Sequence, residues 1–167
     1  MVIVVMGICG CGKTVVGKLL AKSLALPFYD ADDFHPPANI EKMKAEIPLN
    51  DDDRLPWLKK MAERIPHWEN SGGAVLACSA LKHSYRQILK SNTDVRFVYL
   101  KGHKELILQR SLDRQGHFMP PALIDSQLAA LEEPTDAIVA DIAATPDEIV
   151  NDILRQLPSQ DADKTTS

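Results

Sequence analysis

The sequence predicts an α/β protein: a five-stranded parallel sheet, wound right-handedly, with helices on both faces. Three observations carry this reading. Short apolar runs recur at residues 2–6, 28–29, 74–78, 95–100 and 137–140, several of them apolar throughout, as strands buried on both faces require. Between them lie longer segments with apolar residues at helical spacing. The first run feeds directly into a glycine-rich turn that opens a helix. At 167 residues the chain fits one domain, expected over residues 1–157 and followed by a polar tail, 158–167, expected to be disordered.

The turn is Gly7-Ile8-Cys9-Gly10-Cys11-Gly12-Lys13-Thr14, a full match to the phosphate-binding P-loop pattern G-x-x-x-x-G-K-[ST]. Its chemistry is that of the backbone. Successive N–H groups wrap a phosphate, while the following helix directs the positive end of its dipole at the same anion. Lys13 supplies a point charge to the β- and γ-phosphates, and the Thr14 hydroxyl is placed to ligate Mg²⁺. Gly7, Ile8, Cys9, Gly10, Cys11, Gly12, Lys13 and Thr14 are therefore expected around the phosphates of ATP, with ATP and Mg²⁺ as cofactors.

The helical pattern of residues 15–26 must stop before Pro27, which cannot continue the ladder. The strand at 28–29 then delivers Asp30, Asp32 and Asp33 at its carboxyl end, the end where open α/β sheets bind ligands. In extended chain, positions i and i+2 share a side, so Asp30 and Asp32 face one way. One is expected towards metal and the other towards substrate, in an order the spacing leaves open. A short helix is expected at 40–47. Asn50-Asp51-Asp52-Asp53 then caps a longer one, which carries Leu55, Leu58, Met61, Ala62 and Ile65 on one face. Pro56 suits its first turn, whereas Pro66 predicts a kink or break near Ile65.

The third strand ends in Cys78-Ser79, where many P-loop ATPases carry an acidic metal ligand; that role moves towards Asp30 or Asp32. A helix should begin near Ser84. Another, over 104–114, places Arg110 and Arg114 four apart on one face. Residues 115–121, punctuated by Gly and Pro, have the character of a small lid before a helix at 121–133. Thr145-Pro146-Asp147-Glu148 is a capping box with proline at the first helical position, opening a last helix to about Leu157.

Composition narrows the classes. No apolar run approaches the length of a membrane span, and no basic region or cleavage site precedes the first strand, so the expectation is a cytoplasmic protein. A formal charge of −4 argues against a general nucleic-acid binder. The three cysteines, Cys9, Cys11 and Cys78, form no disulfide framework and are too few for a zinc site. Cys9 and Cys11 read as small, soft fillers of the loop.

Beyond the loop, the stretches Asp30-Ala31-Asp32-Asp33-Phe34-His35-Pro36, Pro48-Leu49-Asn50-Asp51-Asp52-Asp53-Arg54-Leu55-Pro56-Trp57-Leu58, Cys78-Ser79-Ala80-Leu81-Lys82, Tyr85-Arg86 and Gly116-His117-Phe118-Met119-Pro120 occur in this order. Together they closely resemble the gluconokinase family, over residues 2–157. The resemblance implies a three-layer P-loop kinase fold, similar to nucleoside monophosphate kinases and shikimate kinase, and a homodimer. It implies transfer of the γ-phosphoryl group of ATP to the 6-hydroxyl of D-gluconate, feeding gluconate catabolism and the pentose phosphate pathway.

Site roles follow from the same likeness. An anionic, polyhydroxylated acceptor needs a cation for its carboxylate; Arg54, Lys82 and Arg86 are the candidates, Arg54 first, with an ion pair to Asp51, Asp52 or Asp53 as the plain alternative for Arg54. Asp32 is expected to orient the attacking hydroxyl and accept its proton, and Asp30 to hold Mg²⁺ through water; the alternative is that either aspartate caps the turn before Pro36. Arg110 and Arg114 would close with the lid over the transferring group. His35, His117 and Gln127 complete the expected substrate-facing set, with His35 capping or binding substrate and His117 shaping the lid or contacting phosphate.

One departure is visible: Cys9 and Cys11 stand where the family usually has serine, so oxidation is expected to inhibit and ATP to protect. Two rival readings are a kinase for another acceptor, such as shikimate or a different sugar acid, and an ATP-binding regulatory module without transfer activity. The acidic pair and the arginines weigh against the second.

Overall fold

A computed structural model describes residues 1–90, 93–113 and 121–158. Its five strands are β1 (Val2–Met6), β2 (Phe28–Asp30), β3 (Ala74–Ala77), β4 (Val95–Lys101) and β5 (Ile138–Asp141), all parallel in the order β2-β3-β1-β4-β5. The helices are α1 (Lys13–Leu24), α2 (Pro37–Lys44), α3 (Asp51–Asn70), α4 (His83–Lys90), α5 (Lys104–Asp113), α6 (Pro121–Ala130) and α7 (Pro146–Gln156). The predicted α/β sheet with helices on both faces is therefore present. One face buries Val16 and Leu20 of α1, Ile107 of α5, Ile124 of α6 and Ile149 and Ile153 of α7. The other buries Trp57, Leu58, Met61 and Ile65 of α3 with Tyr85 and Leu89 of α4.

Local chemistry explains most of the boundaries. Thr145 and Glu148 form the expected capping box, with Pro146 opening α7. Asn50 and Asp53 form a second one at α3: the Asn50 side chain accepts from the Asp53 N–H at 2.8 Å, and the Asp53 carboxylate accepts from the Asn50 N–H at 3.0 Å. Lys42 Nζ, reaching across from α2, donates to both Asp53 oxygens at 2.9 Å.

Four expectations are corrected. The helix expected at 40–47 starts at Pro37, because a proline has φ preset for the first helical position. α3 does not break near Ile65; it runs through Pro66 to Asn70. Proline removes one ladder bond there, but the last turn is held by Trp68, whose ring stacks on Tyr29 at 4.3 Å and meets Phe34 edge-on at 5.9 Å. α6 ends at Ala130 rather than 133, since the Glu132 N–H turns away to the Leu81 carbonyl at 2.8 Å. Finally, Asp30 and Asp32 are not related by extended chain: residues Ala31–Phe34 form a 3₁₀ turn, and Asp30 caps it.

The second capping box carries a pH signature. The hydrogen bond from Asn50, then that from Lys42, holds the Asp53 carboxyl below its usual range. A carboxyl lowered in the fold stabilises it above the unfolded value of about 4, and that stabilisation disappears as pH falls through the folded value. Asp53→Asn should therefore melt below wild type at pH 7, with the gap closing under about pH 4. Thermal midpoints across a pH series check this; a gap independent of pH would contradict it.

Candidate active site

Strand register brings the glycine turn and the acidic turn together. Asp30 of β2 pairs with Ala77 of β3, and Ala77 pairs with Val5 of β1. The acidic turn thus starts level with the end of β1, two strand spacings away, roughly 10 Å. Between the two lies a cleft of ≈ 230 Å³, lined by Cys9, Gly10, Gly12, Lys13, Thr14, Asp30, Asp32, Cys78, Ser79 and Gln127 among others.

The loop geometry rests on glycine at two points. Gly12 caps α1 with φ 95°, a left-handed conformation that a side chain would strain, and the first N–H groups of α1 have no partner within the helix. At Gly7, with φ 150°, an added Cβ would lie 2.7 Å from Cys11 Sγ and 3.0 Å from the Leu100 carbonyl oxygen. Lys13 Nζ donates to the Ile8 carbonyl at 3.0 Å, folded over the loop. The Cys9 N–H donates to Gln127 Oε1 at 2.6 Å, so α6 supplies an internal acceptor to the anion-binding loop.

On the acidic side, one Asp30 oxygen accepts from the Asp32 N–H at 3.0 Å; the other accepts from the Thr14 hydroxyl at 3.4 Å. Asp30 is thus both a cap and a pocket carboxylate. Desolvation and the like charge of Asp30 push the Asp32 carboxyl up, against the pull of His35 and Lys13. Since its side chain is 76% exposed, the charge of Asp30 is the more durable of these causes. The Thr14 hydroxyl and Asp30 present hard oxygen donors of the kind Mg²⁺ takes alongside phosphate and water. Among the described residues, no group of three His, Cys, Asp or Glu converges to form a metal cage.

A second cleft, ≈ 440 Å³, opens on the other side of the loop. Arg110 and Val15 line it with Ala143, Ala144, Thr145 and Pro146. Arg110, expected to close with the lid over the transferring group, lines this second cleft, which shares Gly10 and Gly12 with the first. Arg114 and His117 lie outside the described residues, as does the whole expected lid apart from Pro121.

A shikimate kinase family model matches residues 9–158. A "Probable gluconokinase" of Dictyostelium discoideum is 42% identical, over 94% of this chain and 86% of its own length. The "Thermosensitive gluconokinase" of Escherichia coli K12 is 47% identical, over 78% of this chain and 71% of its own. The crystal structure of a gluconokinase from Sinorhizobium meliloti 1021 superposes with a TM-score of 0.85 at 42% identity, covering 92% of this chain and 89% of that one. The chain belongs to the gluconokinase family.

Within this gluconokinase-family frame the three cations expected at the carboxylate fall apart. Arg54 makes no ion pair with its aspartate neighbours among the described residues; it donates to the Tyr85 hydroxyl at 3.4 Å and lies 5.8 Å from that ring's centre. Lys82 pairs with Asp51 at 3.0 Å, and the Tyr85 hydroxyl donates to the same carboxylate. Arg86 is corrected outright. It is 4% exposed and donates to the carbonyls of Ala80, Leu81 and Glu132 at 2.8, 3.1 and 2.8 Å, pinning a loop in which Ala80 is held at φ 45°. His35, also buried, stacks on Trp57 at 4.4 Å. Sequence reading placed Tyr85 in the family likeness without a role and gave Asn39 none; the local pattern of Asn39 does not distinguish it from other helix residues.

The two loop cysteines are better shielded than expected. Cys9 and Cys11 are 9% and 2% exposed, and burial pushes the Cys9 thiol up; it pushes Cys78 to about 12. Since the thiolate is the reactive form, burial of the three thiols weighs against the ready oxidation expected from the sequence. Ellman's reagent should titrate all three thiols at least about tenfold more slowly in the folded protein than in urea. Equal rates would show that the loop opens freely.

Proposed function

We propose that this protein transfers the γ-phosphoryl group of ATP to the 6-hydroxyl of D-gluconate, releasing ADP and 6-phospho-D-gluconate. The observation that carries the reading is the shared cleft: one wall is an anion-binding loop, the other a turn bearing Asp30 and Asp32. The names of its relatives supply the acceptor.

In this reading the loop amides and the start of α1 seat the phosphates, and Lys13 swings from the Ile8 carbonyl to the β- and γ-oxygens. The second cleft takes the nucleoside, with Arg110 along one side and Pro146 along the other. Thr14 and Asp30 would hold Mg²⁺, which when bound neutralises charge on the β- and γ-phosphates. Asp32 orients the sugar-acid hydroxyl and accepts its proton as the new O–P bond forms and the bond to the β–γ bridging oxygen breaks. A carboxyl raised by its neighbours is the better proton acceptor for that task. Arg54, beside Tyr85 and Lys82, takes the gluconate carboxylate. Arg114 and His117 keep the lid roles that the family likeness implies, and the protein is read as a homodimer.

Coupled ADP release across a panel of gluconate, other sugar acids and shikimate tests the acceptor. Gluconate should raise turnover well above the ATPase background, and mass detection should find gluconate carrying one phosphate; a rise with shikimate alone would overturn the reading. Lys13→Ala and Asp32→Asn should each lower kcat by at least about a hundredfold with the fold intact by circular dichroism. Near-normal turnover in either variant removes that residue from the mechanism. Chelating Mg²⁺ should abolish transfer, with recovery on adding it back.

A further inference from the structure

Asn39 is one of the few polar side chains buried in the described chain, at 3% exposure, and the mechanism above does not use it. Its Nδ2 lies 2.9 Å from the Asp53 carbonyl oxygen and 3.2 Å from His35 Nδ1. A carbonyl oxygen only accepts, so the atom facing it is the amide NH₂, and this fixes which way the amide points. An NH₂ only donates, so His35 Nδ1 must accept. A neutral imidazole carries a single ring proton, and here it is on Nε2. That nitrogen is 3.8 Å from Asp32 Oδ1.

The ring is fixed in its plane as well as along its edge. Trp57 stacks on it at an interplanar angle of 12°, and the Trp57 indole N–H donates at 2.7 Å to the carbonyl of Ala31, in the same 3₁₀ turn that carries Asp32. Burial and the charge of Arg54 favour the neutral ring, against the opposing pull of Asp32; around Asp32 itself stand Asp30, Asp33 and Lys13. At 3.8 Å the Nε2–H acts as a directed dipole rather than a hydrogen bond, and contacts of this kind shorten when substrate is bound.

We propose that Asn39 is a positioning residue for phosphoryl transfer: it locks the His35 ring with its proton on Nε2, and that N–H aims the exposed Asp32 carboxylate into the cleft. The proposal rests on the reading of Asp32 as the group that orients the acceptor hydroxyl. It needs no titration, only a fixed tautomer. α2, the 3₁₀ turn and the capped start of α3 thereby converge on one carboxylate.

The first test needs no variant in the measured state. In protein labelled with ¹⁵N-histidine, the resonances that vanish in His35→Gln belong to His35, and in wild type they should report a protonated Nε2 and a bare Nδ1. A protonated Nδ1 overturns the proposal whatever the activity. Asn39→Leu should then lower kcat about tenfold with KM for ATP within about twofold, since it disturbs aim and leaves the loop untouched. In a His35→Gln background the glutamine amide offers its own N–H to Asp32, so adding Asn39→Leu should cost less than about twofold. The same tenfold loss in both backgrounds would mark Asn39 as structural only and overturn the proposal. Failure of the Asp32 reading looks different: Asp32→Asn would keep its turnover while the His35 tautomer stayed as stated.

Discussion

The pairing of β1 between β3 and β4 is the constraint on which the rest depends. All five residues of β1 are fully shut from solvent and Val2–Val5 are paired on both edges, so the chain leaves the sheet only after Met6, which keeps its β4 partner. The glycine turn must then begin in the middle of the sheet, beside the carboxyl ends of its neighbours. Because Val5, Ala77 and Asp30 share one row, the acidic turn after β2 is delivered opposite that loop with no further device. The functional cleft is a consequence of strand register, and the strands themselves are ordered by burial of valine, isoleucine and alanine.

What could be read from the sequence is what depends on neighbours in the chain. The alternation of strands and helices, the phosphate loop, the Thr145 capping box and the capping run at Asn50–Asp53 rest on residues within a few positions of one another, and the structure contains them. Arg86 defeats such reading because its role is set by three carbonyls, one of them 46 residues away at Glu132. A cation near a predicted site looks like a ligand for substrate until the loop it braces is seen. Pro66 defeats it in the other direction: the local rule predicts a break, but packing of Trp68 against Tyr29 and Phe34 outweighs one missing ladder bond. The relation between Asp30 and Asp32 was misread for a similar reason. The chain coils into a 3₁₀ turn directly after Asp30, so that Ala31 and Asp32 both lie in it, and the Asp30 cap itself stabilises that coil.

The region between β2 and β3 is where tertiary contacts do most to define the site. α2 contributes little buried apolar surface, with Ile40 and Met43 exposed, and is held instead by polar links: Lys42 to the Asp53 carboxylate and Asn39 to the Asp53 carbonyl. Asp53 therefore joins a helix start to a neighbouring helix and, through Asn39, to the ring of His35. Polar networks of this kind specify one arrangement only when every member is satisfied. Here both Asn39 amide hydrogens find acceptors, which fixes the way the amide points.

Gln127 ties the loop to α6. Since its side-chain oxygen already accepts from the Cys9 amide, an arriving phosphate exchanges one acceptor for another instead of displacing water alone. With phosphate seated as proposed, the contacts that dock α6, Ile124 in the core among them, would bear on that exchange although they never meet the nucleotide.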